Sequence, residues 1–224
     1  MMEKSYNQYC PIAHALDIIG DRWTLLIIRD LFLGPKRFTD LANGLPGIGS
    51  NILAIRLKGL EQNGLVRRRL LPPPAASAVY ELTPEGQTLQ VLLTGLARWG
   101  GRRLGVRQPG QMMNQESVKL GLYGLLYPLA EKQVTLLCEV HISDTGATNC
   151  LIVKIEKGAI QISDCLDERD MQVADIVMHL EVEILFALVG GRGDLAQAEA
   201  RGAMRFEGKP EAIQWLRESE FLMR

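Results

Sequence analysis

Over the first sixty residues apolar positions recur every three or four places, the spacing of helices that bury one side. Ile12, Ala15, Leu16 and Ile19 predict a first helix that stops at Gly20. Asp21 is the residue type expected to cap a second helix, whose buried stripe is Trp23, Leu26, Ile27, Leu31 and Phe32 and whose end is Gly34-Pro35. A short third helix over "RFTDLANGLPG" turns Phe38, Leu41 and Leu45 inward. After the Gly-rich turn, "GIGSNILAIRLKGLEQNGLVRRR" places Leu53, Leu57 and Leu60 on one helical face. Asn51, Ile55, Lys58 and Gln62 lie opposite, with Arg56 at the edge. Asn63-Gly64 ends the run.

The period then shortens. Two β-prone segments, residues 65–71 and 78–83, flank "PPPAAS" and predict a hairpin, because proline cannot extend a central strand. Thr83-Pro84 opens another helix, with threonine at the cap and proline in the first turn, predicted to continue through Trp99 to Gly100-Gly101. Residues 105–117 suit a linker. Beyond it come a helix, strands over 134–142, 151–156 and 159–163, a further strand over 173–180, and a helix over 181–189 stopped by Gly190-Gly191. An acidic turn, a short strand over 203–207 and a closing helix from Pro210 follow. The pattern predicts two domains of an α+β chain: residues 1–104, helices with a small hairpin, and residues 118–224, helices and a larger sheet.

Charge sharpens that division. The whole chain has a formal net charge of -1, yet residues 1–110 hold 14 Lys and Arg against 8 Asp and Glu, whereas residues 111–224 hold 11 against 18. The basic half is suited to a polyanion. The four cysteines, Cys10, Cys138, Cys150 and Cys165, match no disulfide framework or zinc motif, and together with the absence of a signal-like or membrane-length apolar run they lead to the expectation of a cytoplasmic protein with no membrane partner. No cofactor motif, metal cluster or catalytic constellation stands out, so an enzyme is not expected. Cys138 and His141 are close in sequence, but on a strand they point to opposite faces. "GGRG" has too few ordered glycines for a nucleotide loop, and Arg192-Gly193-Asp194 and His179 suit structural roles.

A short helix, a tight turn and a helix with a polar outer face form a helix-turn-helix, and the hairpin after it supplies a wing. The leucine face seats residues 49–62, which leaves the opposite face for a major groove. Ser50, Asn51, Ile55, Arg56 and Lys58 are the candidates to read base edges. Arg67, Arg68 and Arg69, with Arg37 before the third helix, are the candidates to neutralise phosphate.

These segments, most specifically "GDRWTLLIIRDL", "RFTDL", "LKGLEQNGLV" and "YELTPEG", resemble the HxlR-type winged-helix regulators of bacteria, cousins of the MarR-type repressors. The resemblance spans Cys10 to about Gly100. It implies a transcriptional regulator that binds operator DNA as a homodimer, with the first helix and residues 84–103 forming the dimer interface. Wings in that family often carry a basic residue near the tip; here "PPPAAS" carries no charge, so the flanking arginines are left to contact the backbone. Cys10 falls where some members carry a redox-sensing thiol, and His14 lies a turn further on. The C-terminal stretch "VADIVMHLEVEILFALVGGRGDLAQAEARGAMRFEGKPEAIQWL" resembles the sterol-carrier-protein-like (SCP2-like) fold. That resemblance implies a site for a hydrophobic small molecule lined by Ile184, Leu185, Leu188, Met204, Phe206, Trp215 and Leu216. The alternatives are a thiol-based redox-sensing regulator acting through Cys10, and a lipid-binding protein.

Overall fold

The computed structural model describes residues 5–72, 77–108, 110–111, 113–144, 147–165 and 173–218. The chain divides into two compact units, Met1–Leu93 and Thr94–Arg224.

The first unit is built around α2 (Thr24–Phe32), whose residues are apolar nearly all round. Such a helix is buried on most sides. Ile27, Ile28 and Leu31 are accordingly inaccessible, whereas Leu26, expected inside, is exposed. The shift arises because α2 starts late. Trp23, at φ 82°, stands at its N-cap, and Asp21 is left in the preceding turn, where its backbone carbonyl accepts from Thr24 N–H at 3.2 Å. The helix α1 (Pro11–Ile19) also differs from expectation: Ala13 and Ile19 face inward, while Ile12, Ala15 and Leu16 are exposed. The inner face of α1 is thus small, and Ile12 and Leu16 stay exposed among the described residues.

A two-residue strand β1 (Lys36–Arg37) leads into α3 (Phe38–Gly44), and a turn of five residues leads to α4 (Ser50–Gln62). Leu53, Leu57 and Leu60 are fully buried, as the sequence spacing requires. The end of α4 is a Schellman motif: Leu65 N–H donates to Leu60 C=O at 3.0 Å and Gly64 N–H to Glu61 C=O at 3.0 Å. Gly64 supplies the φ of +69° that this closure needs. The strands β2 (Val66–Leu70) and β3 (Ala78–Leu82) form the hairpin, in sheet order β1-β3-β2. Leu71 N–H to Ser77 C=O closes its far end at 2.9 Å; of the expected uncharged tip, residues 73–76 lie outside the described residues.

Thr83 caps as expected, accepting from Gly86 N–H at 3.1 Å, but the single helix predicted beyond it is two: α5 (Pro84–Gln87) and α6 (Gln90–Gly101). Packing on the hairpin explains the break. A Cβ on Gly86 would lie 2.1 Å from the Leu65 carbonyl oxygen, so α5 is pressed against the start of β2 and cannot run straight on into α6.

The second unit is a five-stranded sheet, in order β6-β5-β4-β7-β8, composed of β4 (Leu136–Asp144), β5 (Ala147–Glu156), β6 (Ala159–Asp164), β7 (Ile176–Glu181) and β8 (Met204–Gly208). The β4–β7 pair is parallel and the other pairs antiparallel. One face packs on α7 (Gln115–Glu131), α8 (Val182–Val189) and α10 (Pro210–Arg217), burying Leu122, Leu125, Val140, Val153, Met178 and Leu216 among others. Strand alternation therefore puts Cys138 in this core and His141 on the other face. The expected acidic turn holds a further short helix, α9 (Leu195–Ala200), capped by Asp194 accepting from Gln197 N–H at 3.1 Å. The described residues of the expected linker are irregular up to Asn114, which caps α7, and Arg107 among them forms an ion pair with Asp144 of β4.

Asp175 ties three strands together. Its carboxylate accepts from Leu137 N–H at 2.9 Å and from Lys209 Nζ at 2.5 Å, while its backbone carbonyl accepts from Lys209 N–H at 2.8 Å. The cysteines depart from the sequence expectation: Cys150 and Cys165 form a disulfide with Cα atoms 5.4 Å apart. The antiparallel β5–β6 register brings the two opposite each other, a proximity that linear spacing does not encode. With two of the four cysteines paired, cysteine usage no longer argues for a reducing compartment.

Candidate nucleic-acid interface

The seating of α4 on Leu53, Leu57 and Leu60 aims its other side outward. Ser50, Asn51, Ile55 and Lys58 are all exposed there, and so is Ile52, which the sequence reading passed over. The face combines hydroxyl, amide and ammonium groups with two apolar side chains, a mixture able to meet base-edge donors, acceptors and thymine methyls. Lys58 forms no ion pair among the described residues.

Arg56 is placed differently. Its Nη1 lies 2.5 Å from Asp21 Oδ2, its side chain is mostly covered, and its Nε is buried without a hydrogen-bond partner. The guanidinium is thus turned back to the α1–α2 turn.

The three wing arginines also divide. Alternation along β2 places Arg67 and Arg69 on one face and Arg68 on the other. Arg67 pairs in register with Glu81 of β3, and Glu81 accepts from Arg67 Nε at 2.7 Å and from Arg69 Nη2 at 2.9 Å. The hydrogen bond from Arg69 is the main reason that the Glu81 carboxyl is held below the usual carboxylate range, with Arg67 adding to it; the same bond raises Arg69. Arg68 is exposed and forms no ion pair among the described residues. Arg37 is exposed just ahead of α3, and its backbone N–H is capped by the Asp40 carboxylate at 2.9 Å. Sequence reasoning missed Asp21 and Glu81. A hairpin register drawn from residues 66–70 and 78–82 would have found Glu81; nothing in the linear sequence points from Asp21 to Arg56.

Residues 18–108 match the family described as HxlR-like helix-turn-helix. The HTH-type transcriptional regulator YodB of Bacillus subtilis is 37% identical over 111 residues, which are 49% of this chain and 96% of YodB. The chain belongs to the HxlR-like helix-turn-helix family. YvaP of the same organism, also described as an HTH-type transcriptional regulator, is 34% identical over 94 residues, 42% of this chain and 87% of its own. The solved reduced form of YodB gives a TM-score of 0.38 at 37% identity, covering 46% of this chain and 100% of that one. This HxlR-like chain is therefore a transcriptional regulator by family, and its relatives are regulators rather than enzymes. The family match ends at residue 108, before α7 and the five-stranded sheet. Among the described residues no helix is long and apolar enough to cross a membrane.

The remaining candidates fall outside this surface. Cys10 is a free, half-covered thiol at the N-cap of α1, and its backbone carbonyl accepts from His14 N–H at 2.9 Å. Of the proposed ligand-pocket residues, Leu185, Leu188, Met204 and Leu216 are packed into the core, with Ile184 and Phe206 against it, while Trp215 is exposed. Ile184 lines an open groove of about 630 Å³ with Val106, Arg107, Glu183, Ala187 and Arg192.

On the sheet face opposite the helices the structure gathers a group that no sequence motif announced. His141 lies beside Cys150 in the β4–β5 register, and Glu139 Oε1 is 2.6 Å from His141 Nε2.

Proposed function

We propose that the chain binds operator DNA as a homodimer, α4 entering the major groove and the hairpin lying along the backbone. The exposed row Ser50, Asn51, Ile55 and Lys58, opposite a fully buried leucine seat, is the observation that carries this reading. Lys58, Arg68 and Arg37 supply phosphate or base contacts at once, whereas Arg67 and Arg69 must share or leave Glu81, and Arg56 must leave Asp21. The dimer is supported by large apolar residues that are exposed in one chain: Ile12 and Leu16 on α1, and Val91, Leu92, Leu96 and Trp99 on α6. In a two-fold dimer the recognition helices address half-sites about 34–36 Å apart, so a ligand that favours one dimer geometry releases DNA by changing that spacing. Within this reading residues 1–104 are the DNA-binding domain, 105–117 the linker and 118–224 a sterol-carrier-like domain for a hydrophobic small molecule, in a cytoplasmic protein.

The test is binding to the chain's own upstream promoter DNA against random DNA across a salt series. Tight, sequence-preferring binding with a steep salt slope supports the reading. Absent or indiscriminate binding overturns it.

A second reading is favoured by Cys10, a free thiol at a helix N-terminus in a chain whose relative YodB has been solved in a reduced form. Here oxidation of Cys10 releases the operator. Release by oxidant that is unchanged in Cys10→Ser sinks it.

A further inference from the structure

The face of the C-terminal sheet opposite the helices carries a row of side chains in register. Cys150 of β5 pairs with His141 of β4, His141 with His179 of β7, and His179 with Arg205 of β8. Glu139, two residues before His141, shares its face. The rings of His141 and His179 are stacked, with centroids 4.7 Å apart and planes 10° apart. His179 Nε2 lies 3.3 Å from Arg205 Nη2; because arginine can only donate, His179 accepts at that nitrogen. Burial first, and then the Arg205 charge, lower the pKa of His179.

The donor atoms of Glu139, His141 and Cys150 all lie within 4.8 Å of one another, and all three residues are partly buried. A tetrahedral zinc ion, with bonds of about 2.0–2.3 Å, holds its ligands about 3.3–3.8 Å apart. Small side-chain movements therefore close the set. A fourth donor is already attached, because Cys165 is bonded to Cys150, and Cys165 N–H donates to Cys150 C=O at 3.2 Å. In the disulfide neither sulfur is a thiolate, and the thiolate is the form that binds metal.

We propose that Glu139, His141, Cys150 and Cys165 form a thiol-gated site for a divalent cation of the zinc class, closed by the disulfide and opened by its reduction. Two equivalents of a low-molecular-weight thiol carry out the opening. The Cys150–Cys165 bond breaks, one disulfide forms between the two small thiols, and both cysteines end as thiols. The cation then displaces the two thiol protons, while the His141 ring keeps its one proton on the nitrogen that does not bind the cation, which becomes held by two sulfurs, one imidazole and one carboxylate. A small-molecule disulfide reverses the sequence: the Cys150–Cys165 bond reforms, two small thiolates leave, and the cation is released. His179 supports the site by stacking on the ligand ring. Cys138 does not compete. It lies on the opposite face, and burial pushes its thiol up to about 12.

The experiment uses the full chain carrying Cys10→Ser, in its disulfide form and after reduction with a phosphine, titrated with Co(II) and then Zn(II). The expected result is one equivalent of Co(II) per reduced chain, with sulfur-to-metal charge-transfer absorption and the intense visible bands of a tetrahedral ion, all lost on adding Zn(II). The disulfide form should show none of these. His141→Gln and Glu139→Gln should weaken binding by at least about tenfold, since even outer-shell changes cost 10–100-fold. Cys150→Ser should reduce the charge-transfer band. Reduced chain without stoichiometric binding, equal binding in both redox forms, or affinity unchanged in both His141→Gln and Glu139→Gln would overturn the proposal. Circular dichroism checks each variant; should Cys150→Ser fail to fold, the two conservative substitutions at Glu139 and His141 decide.

Discussion

Arg56 Nη1 lies 2.5 Å from Asp21 Oδ2, and this pair ties α4 to the turn that precedes α2. The arginine is mostly covered and the aspartate half exposed, so the pair gains more than a surface contact while keeping one member hydrated. Asp21→Ala should lower stability by about 1 kcal/mol, the upper end for a partly exposed pair. Thermal unfolding of Asp21→Ala, Arg56→Ala and the double variant checks this; additive losses would mean that the two are not coupled.

Glu81 restrains two of the three wing arginines. Glu81→Gln removes that charge and makes Arg67 and Arg69 available to phosphate. The expected outcome is tighter binding to DNA and a steeper dependence of log K on log salt, by up to about two units for two added contacts. Fluorescence anisotropy at several salt concentrations measures both. An unchanged slope would place the wing away from the duplex.

The outer and inner faces of α4 should separate cleanly under substitution. Lys58→Ala should weaken DNA binding with little change in stability, because Lys58 is exposed and forms no ion pair among the described residues. Leu57→Ala should cost about 2–5 kcal/mol of stability, the usual range for emptying a fully buried leucine site. Denaturant unfolding and DNA titration of the same two variants provide the comparison.

Asp175 predicts an acid limb for the C-terminal unit. The hydrogen bond from Lys209, followed by that from Leu137 N–H, holds its carboxyl below the ordinary aspartate value of 3.8. A depressed folded-state pKa means that the unfolded chain takes up the proton first. The contribution is therefore complete above about 3.8 and is lost as pH falls through the folded value. Asp175→Asn should be less stable than the parent at neutral pH, with the difference narrowing below pH 4. Melting temperatures across pH 2–7 test the sign.

The two halves of the chain were unequally legible. Helix α4 was readable because its leucines repeat at helical spacing and its end is written locally in Asn63-Gly64. Thr83-Pro84 likewise marked the start of α5, since a cap needs only neighbouring residues. The helix from Pro84 was not readable as two, because the break depends on Gly86 meeting Leu65, 21 positions back along the chain. For α1, apolar periodicity marked the helix but not its inward side, which depends on what surrounds Ile12 and Leu16.

By itself the sequence determined the leucine seat, the polar face of α4, the hairpin and the separation of charge, all set by periodicity, capping and composition within a few residues. Tertiary structure decided which cations are engaged: Asp21 reaches Arg56, and Glu81 takes Arg67 and Arg69, contacts whose partners are 12 to 35 positions apart. It also decided that Glu139, His141, Cys150 and Cys165 meet. Strand pairing sets that meeting, since a register shift of one residue would send the facing side chains to opposite sides of the sheet.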